Sequence, residues 1–273
     1  MNKTYSFMVM LLLLGIGASA EAATTTSLYP TADGTYTAWA PSTAGTHAVL
    51  VDESTCNGTT DYVSETTVGD RDSYTVSLAS VPAGAVITNI AVTPCASRNS
   101  TGSGSASLKL FYRFDGVQSA DSAAYVLPTG TTPSVRATTN FGSLALTKTA
   151  SSALEVGVVY SAGTKGVRVS NLATVITYTP ATVPNGPTNL FAVASSTGTS
   201  SFAALFWTDN SSNETGFNVE RSLDGVNFSL LTTRTVANYN DFAVSAGNTY
   251  YYRIAAYNTA GNSAYTTVKS VTF

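Results

Sequence analysis

Residues 249–265 read Thr-Tyr-Tyr-Tyr-Arg-Ile-Ala-Ala-Tyr-Asn-Thr-Ala-Gly-Asn-Ser-Ala-Tyr. In an extended chain alternate side chains leave on opposite faces, so Tyr250, Tyr252, Ile254 and Ala256 share one side while Tyr251, Arg253 and Ala255 share the other. That is a strand with one face in a core. Asn258, Gly261 and Asn262 then supply turn chemistry, including a glycine able to take positive φ, and an extended pattern resumes over 263–271. The stretch predicts a β-hairpin within a sandwich of antiparallel sheets.

Upstream, 187–192 (Pro-Thr-Asn-Leu-Phe-Ala), 203–207 (Ala-Ala-Leu-Phe-Trp) and 217–222 (Phe-Asn-Val-Glu-Arg-Ser) repeat the strand pattern. Turns intervene at Thr208, Asp209 and Asn210 and at Asp224 and Gly225, and Ala246-Gly247-Asn248-Thr249-Tyr250 leads into the hairpin. Together these motifs resemble a fibronectin type III domain over residues 187–273. The resemblance implies a seven-stranded sandwich with Trp207 as the large inward residue of its second strand. Tyr250 becomes the corner tyrosine whose hydroxyl bonds back to upstream backbone, and Tyr252 marks the core beside it. Val244 departs from the family pattern, which has a leucine there. The loop 258–262 lacks Arg-Gly-Asp, so the integrin binding of some family members is not implied.

Pro180, Pro184 and Pro187 crowd the preceding segment; proline fixes φ and removes donors, which makes 181–186 a short, stiff linker. Residues 24–180 ahead of it alternate in short runs. Tyr74, Val76 and Leu78 share a face, as do Leu108, Leu110, Tyr112 and Phe114, and further runs follow at 138–146, 154–160 and 167–178. Turns at Pro82 and Gly84 and at Asp115 and Gly116 separate them. Without helical periodicity longer than about two turns, these runs predict a jelly-roll-like antiparallel β-sandwich, so the whole chain is expected to be all-β.

The N-terminus carries Lys3, an apolar run over 7–16 and the small residues Ala18, Ser19 and Ala20. These are the marks of a secretory signal peptide over 1–22, cleaved after Ala20 or Ala22, and the run is short for a membrane span. No later apolar run is long enough to span either, so a secreted, extracellular protein without a membrane anchor is expected. Its composition looks bacterial. Charged residues are only 11% and the formal charge is −3 with no Lys/Arg cluster, which removes the electrostatic basis for nucleic-acid binding. Cys56 and Cys95 are the only cysteines. In an oxidising compartment they are expected to form a disulfide, closing a loop of about 40 residues and contributing on the order of 4 kcal/mol.

Candidate chemistry gathers in two places. Tyr29, Tyr36 and Trp39 can form an aromatic platform for sugar rings, or they can pin the first strand to the core. Acidic residues concentrate over 52–72, and Asp70 and Asp72 on either side of Arg71 can offer hard oxygens to a structural Ca²⁺; the competing reading is solvated turn acids with an Arg71 ion pair. His47, the only histidine, lies in a Ser/Thr/Gly-rich loop with no nucleophile motif around it. The expected function is a noncatalytic binding or adhesion protein that contacts a polysaccharide or an extracellular protein, with no catalytic residue assigned. Two alternatives stay open. One is a glycan-active hydrolase using carboxylates from 52–72, and the other is a structural subunit of an extracellular assembly.

Overall fold

The computed structural model describes residues 20–56, 58, 60–197 and 200–273. The expected signal segment falls on residues 1–22, nearly all of it outside the described residues. Among the described residues the only helical element is the 3-10 turn Ala48–Leu50, and the chain is all-β.

The N-terminal sandwich is built from β1 (Pro30–Thr37), β2 (Val63–Glu65), β3 (Arg71–Val76), β4 (Val86–Arg98), β5 (Ala106–Phe114), β6 (Leu154–Gly163) and β7 (Val167–Thr179). In one sheet β4 lies between β7 and the short segments Ser134–Val135, Thr139–Phe141 and Leu146–Thr147, with β2 on the far side of β7. The other runs β1-β3-β6-β5, all antiparallel. Inward residues from both sheets, among them Tyr74, Val76, Ile87, Ile90, Leu108, Leu110, Val156, Val158 and Leu172, form one apolar cluster. The alternation in the sequence therefore describes the faces correctly, with one addition on the outer side of β5. There Phe111 is also fully buried, capped by the Arg71 guanidinium (4.9 Å from the ring centroid) and by the edge of Tyr36 (5.8 Å). Gly157 makes this possible, because a Cβ there would stand 2.3 Å from the Phe111 ring.

A second, separate cluster lies in the C-terminal part. Its strands are β8 (Thr188–Thr197), β9 (Ser200–Thr208), β10 (Gly216–Ser222), β11 (Ser229–Arg234), β12 (Asn238–Asp241), β13 (Thr249–Asn258) and β14 (Lys269–Thr272). They form a sheet β8-β9-β12 facing a sheet β11-β10-β13-β14. Trp207, Tyr250, Tyr252, Ile254 and Ala256 all point into the core between them. The Ser245 N–H donates to the Tyr250 hydroxyl at 3.0 Å, closing the tyrosine corner. Tyr252 donates to Asp241, a fully buried carboxylate that also accepts from Arg221 at 2.8 Å.

The hairpin differs from its expected form in one respect. The strand after the turn is not continuous: only Gly261–Asn262 and Lys269–Thr272 pair with β13. Over the intervening residues the hydroxyls of Ser263 and Thr266 accept from the N–H groups of Ala256 and Ile254. Side-chain oxygens here replace part of the backbone ladder, and so local hydroxyl chemistry overrides an extended pattern.

The proline-rich segment docks on the C-terminal sandwich. The Thr182 carbonyl accepts from the side-chain amides of Asn213 (3.0 Å) and Asn258 (2.8 Å), and the Gly186 carbonyl accepts from Asn210 (2.9 Å).

Candidate functional site

The three aromatic residues proposed as a platform are dispersed. Trp39 is a core residue, 1% exposed, and its indole N–H donates to the Asp70 carbonyl at 3.1 Å. It therefore cannot stack on a ligand. The irregular segment around it, including Ala48, Leu50 and Val51, folds its apolar groups into the same cluster. Tyr36 is half-buried over Phe111, with Arg113 against its ring and its hydroxyl on Gln118. Tyr29 is half-buried, its hydroxyl donating to the Ser54 carbonyl. Among the described residues no ring pair forms between these three.

The acidic pair is also changed. Asp72 lies on the inward face of β3 with Tyr74 and Val76 and is 0% exposed. Its Oδ2 meets His47 Nδ1 at 2.8 Å and accepts from the Tyr74 hydroxyl at 2.7 Å. Asp70 is only half-buried, and its carbonyl is the oxygen that holds Trp39. Among the described residues no group of three or more His, Cys, Asp or Glu side chains gathers as a metal site. Ca²⁺ takes six to eight oxygens, so a carboxylate turned into the core beside a histidine is not its ligand. The proposed Ca²⁺ role of Asp70 and Asp72 is thus replaced by a structural one. His47 and Asp72, with the Asp33 carboxylate accepting from Ala48 N–H at 2.6 Å, pin the 3-10 turn to the second sheet.

Burial pushes the Asp72 carboxyl up to about 6, against the lowering pull of Tyr74 and His47. A raised acid binds its proton more tightly in the folded state than in the unfolded chain, where its ordinary value is 3.8. Its contribution to stability is therefore full at or below pH ~4 and is lost as the pH rises through about 6. Melting temperatures of the wild type and Asp72→Asn, measured from pH 4 to 7, are expected to show a decline in the wild type that the variant lacks. Equal slopes would mean that Asp72 ionisation is not coupled to folding.

Glu155 behaves in the opposite sense. Burial raises it, but the Thr35 N–H and hydroxyl, the Ser73 hydroxyl and Arg113, all at 2.8–2.9 Å, outweigh burial and hold it below the ordinary carboxylate range. Its stabilisation is present above pH ~4.5 and is lost on acidification below that. The knot requires Gly34, since a Cβ there would stand 2.4 Å from Ser73 Oγ and 2.6 Å from Glu155 Oε2. Of the acids over 52–72, Glu65 accepts from the N–H groups of Thr66 and Thr67, so it too is engaged in local structure. Glu53 is held above the ordinary range by burial, with Asp52 and Asp61 adding to the effect.

The residues that sequence reasoning missed lie on the outer face of the sheet β8-β9-β12. Across these strands Phe191 pairs with Phe206 and Phe206 with Asn238; Val193 pairs with Ala204 and Ala204 with Asn240. Ser195 pairs with Phe202, whose ring lies 4.9 Å from that of Phe242. Phe191, Phe206 and Phe242 are 60%, 50% and 59% exposed. Their outward position follows from strand alternation, because Leu190, Leu205 and Trp207 point inward. A cleft of about 1110 Å³ runs along the linker. It is lined by amides of Asn185, Asn210, Asn213 and Asn258 that already bond to backbone carbonyls.

No protein-family model and no curated protein matches the chain. Solved structures do. A fibronectin type III-like protein from Clostridium thermocellum is 29% identical, over 33% of this chain and 93% of that one, with a TM-score of 0.29. The fibronectin type III domain of human fibronectin type III domain containing protein 3 is 17% identical, over 34% and 87%, with a TM-score of 0.28. The glycoside hydrolase domain of Endo-D from Streptococcus pneumoniae is 14% identical; 91% of this chain matches 36% of that one, with a TM-score of 0.30. The strands and their pairing make the chain an all-β protein of antiparallel sheets, and its structural neighbours include fibronectin type III-like domains that match about a third of it.

Proposed function

We propose that this is a secreted, noncatalytic binding or adhesion protein of two domains, at 24–180 and 187–273, the second a fibronectin type III module, and that it contacts a polysaccharide or a surface partner. The observation that carries this reading is the exposed aromatic face of β8, β9 and β12. It presents Phe191, Phe206 and Phe242 to solvent, whereas singly scattered apolar residues are the ordinary condition of a protein surface. One of the carboxylates considered for catalysis supports a noncatalytic role, because Asp72 is sealed in the core and bonded to His47. The Cys56–Cys95 disulfide supports export to an oxidising compartment. No helix among the described residues is long and apolar enough to cross a membrane.

The test is a pull-down of the purified protein with insoluble polysaccharides and cell-wall preparations, alongside Phe206→Ser. Saturable retention without release of soluble product, weakened in the variant, is the expected result. Turnover on a glycan panel that Asp70→Asn abolishes would instead establish the hydrolase, and retention by nothing would remove the binding role.

A further inference from the structure

We infer that the aromatic face of β8, β9 and β12 is a platform for a neutral polysaccharide chain lying flat across the sheet. This rests on the reading of the protein as a binding protein and names its ligand class and site. The face is a grid of three short rows: Phe191, Phe206 and Asn238; Val193, Ala204 and Asn240; Ser195, Phe202 and Phe242. None of these nine side chains is ionisable.

Three features of the grid select the ligand. The exposed aromatic rings stand at its two ends: Phe191 and Phe206 at one and Phe242 at the other, where it packs 4.9 Å from the ring of the buried Phe202, four residues from Phe206 on β9 or roughly 13 Å at the strand rise. The middle row carries only Val193, Ala204 and Asn240, which leaves the centre low and the surface flat. A pyranose chain offers alternating apolar C–H faces and hydroxyl rims, so the rings can stack on the former. Asn238 and Asn240, both exposed on β12 and roughly 7 Å apart at the strand rise, present carboxamides that donate to and accept from the latter.

Charge and area exclude the competing occupants. With no Lys or Arg on the grid, nothing neutralises an anionic glycan or a nucleic acid. A second copy of the chain is too large a partner for the surface available. Three strands at about 4.8 Å spacing and about 17 Å of length cover on the order of 250 Å², well short of the ~800 Å² per partner in a stable complex. A small, flat, uncharged patch suits a repeating neutral polymer, whose identical units offer the same apolar ring face wherever along the chain the protein lands.

The purified protein is tested for retention on cellulose, on chitin and on bacterial cell-wall preparations, and for retardation by soluble polygalacturonate, at low and high salt. Phe191→Ser, Phe206→Ser and Asn240→Asp are compared with the wild type, and each is first shown to melt as the wild type does. The expected result is retention on at least one of the two neutral polymers, independent of salt. Each Phe→Ser change should weaken it roughly three- to tenfold, as the loss of one stacking contact does, and Asn240→Asp should also weaken it. Retention that the Phe variants leave unchanged, retardation by polygalacturonate lost at high salt, or a Phe206-dependent dimer in sedimentation would each overturn the platform. A binding role could survive those results, whereas retention by neither polymer nor cell wall would overturn both.

Discussion

Trp39→Ala is expected to destabilise the N-terminal sandwich by about 3–5 kcal/mol, as for other fully buried aromatic residues cut back to alanine. The indole is 1% exposed and packs in the cluster that holds Ala48, Leu50 and Val51, so its removal leaves a cavity beneath the 3-10 turn. It also strips the Asp70 carbonyl of its donor at 3.1 Å. For a domain of this size each kcal/mol shifts the melting temperature by roughly 2–4 °C, which gives a drop of roughly 6–20 °C in calorimetry. The C-terminal core does not include Trp39, so a second transition from that part should stay in place. Trp39→Phe retains most of the packing and loses only the hydrogen bond, and is expected to fall between the two. If Trp39→Ala melted like the wild type yet lost ligand retention, the residue would be a surface contact and its place in the core would be wrong.

Those parts of the fold governed by strand periodicity were readable in the sequence. In β13 the alternation of Tyr250, Tyr252, Ile254 and Ala256 gave the buried face correctly, and the Gly-Asn-Thr approach gave the tyrosine corner whose hydroxyl meets Ser245. Periodicity could also have placed Asp72. Tyr74, Val76 and Leu78 read as one face, and stepping back two residues puts Asp72 on that same inward side; the flanking Arg71 and Asp70 made it look like a solvated turn. Phe191 and Phe206 were legible in the same way, as the outward neighbours of Leu190 and Trp207. What could not be read is the fate of irregular segments. Nothing periodic surrounds Trp39 or His47, and their burial depends on the Asp70 carbonyl, just before β3, and on Asp72 within it, which reach them from across the fold. The grid is likewise a product of register: that Phe191 faces Phe206, and Phe206 faces Asn238, is set by pairings between strands and not by spacing within one.

Replacing both cysteines, Cys56→Ala with Cys95→Ala, is expected to cost roughly 4 kcal/mol, the chain-entropy value for a loop of this length. The bridge joins residues 39 apart in sequence and ties a segment without strands to the buried Cys95 on β4. Single hydrogen bonds also hold that segment: the Ser54 carbonyl accepts from the Tyr29 hydroxyl and the Thr60 carbonyl from the Ser42 hydroxyl. The Val51 carbonyl accepts from Leu172 N–H at 3.3 Å, and the Glu53 carbonyl accepts from the Asn171 side chain. Without the bridge the unfolded chain gains freedom, while the folded segment is held by hydrogen bonds alone, so the loss appears both as a lower melting temperature and as faster amide exchange over 51–62. Alanine is the appropriate replacement, since Ser170 donates to Cys95 Sγ and a serine at 95 would bring a second hydroxyl into a buried site. Wild-type protein in excess reductant should melt with the double variant, at roughly 8–16 °C below the oxidised protein. Identical melting of the oxidised, reduced and alanine forms would show that the β4–β7 pairing already holds the segment, leaving the disulfide without a share in stability.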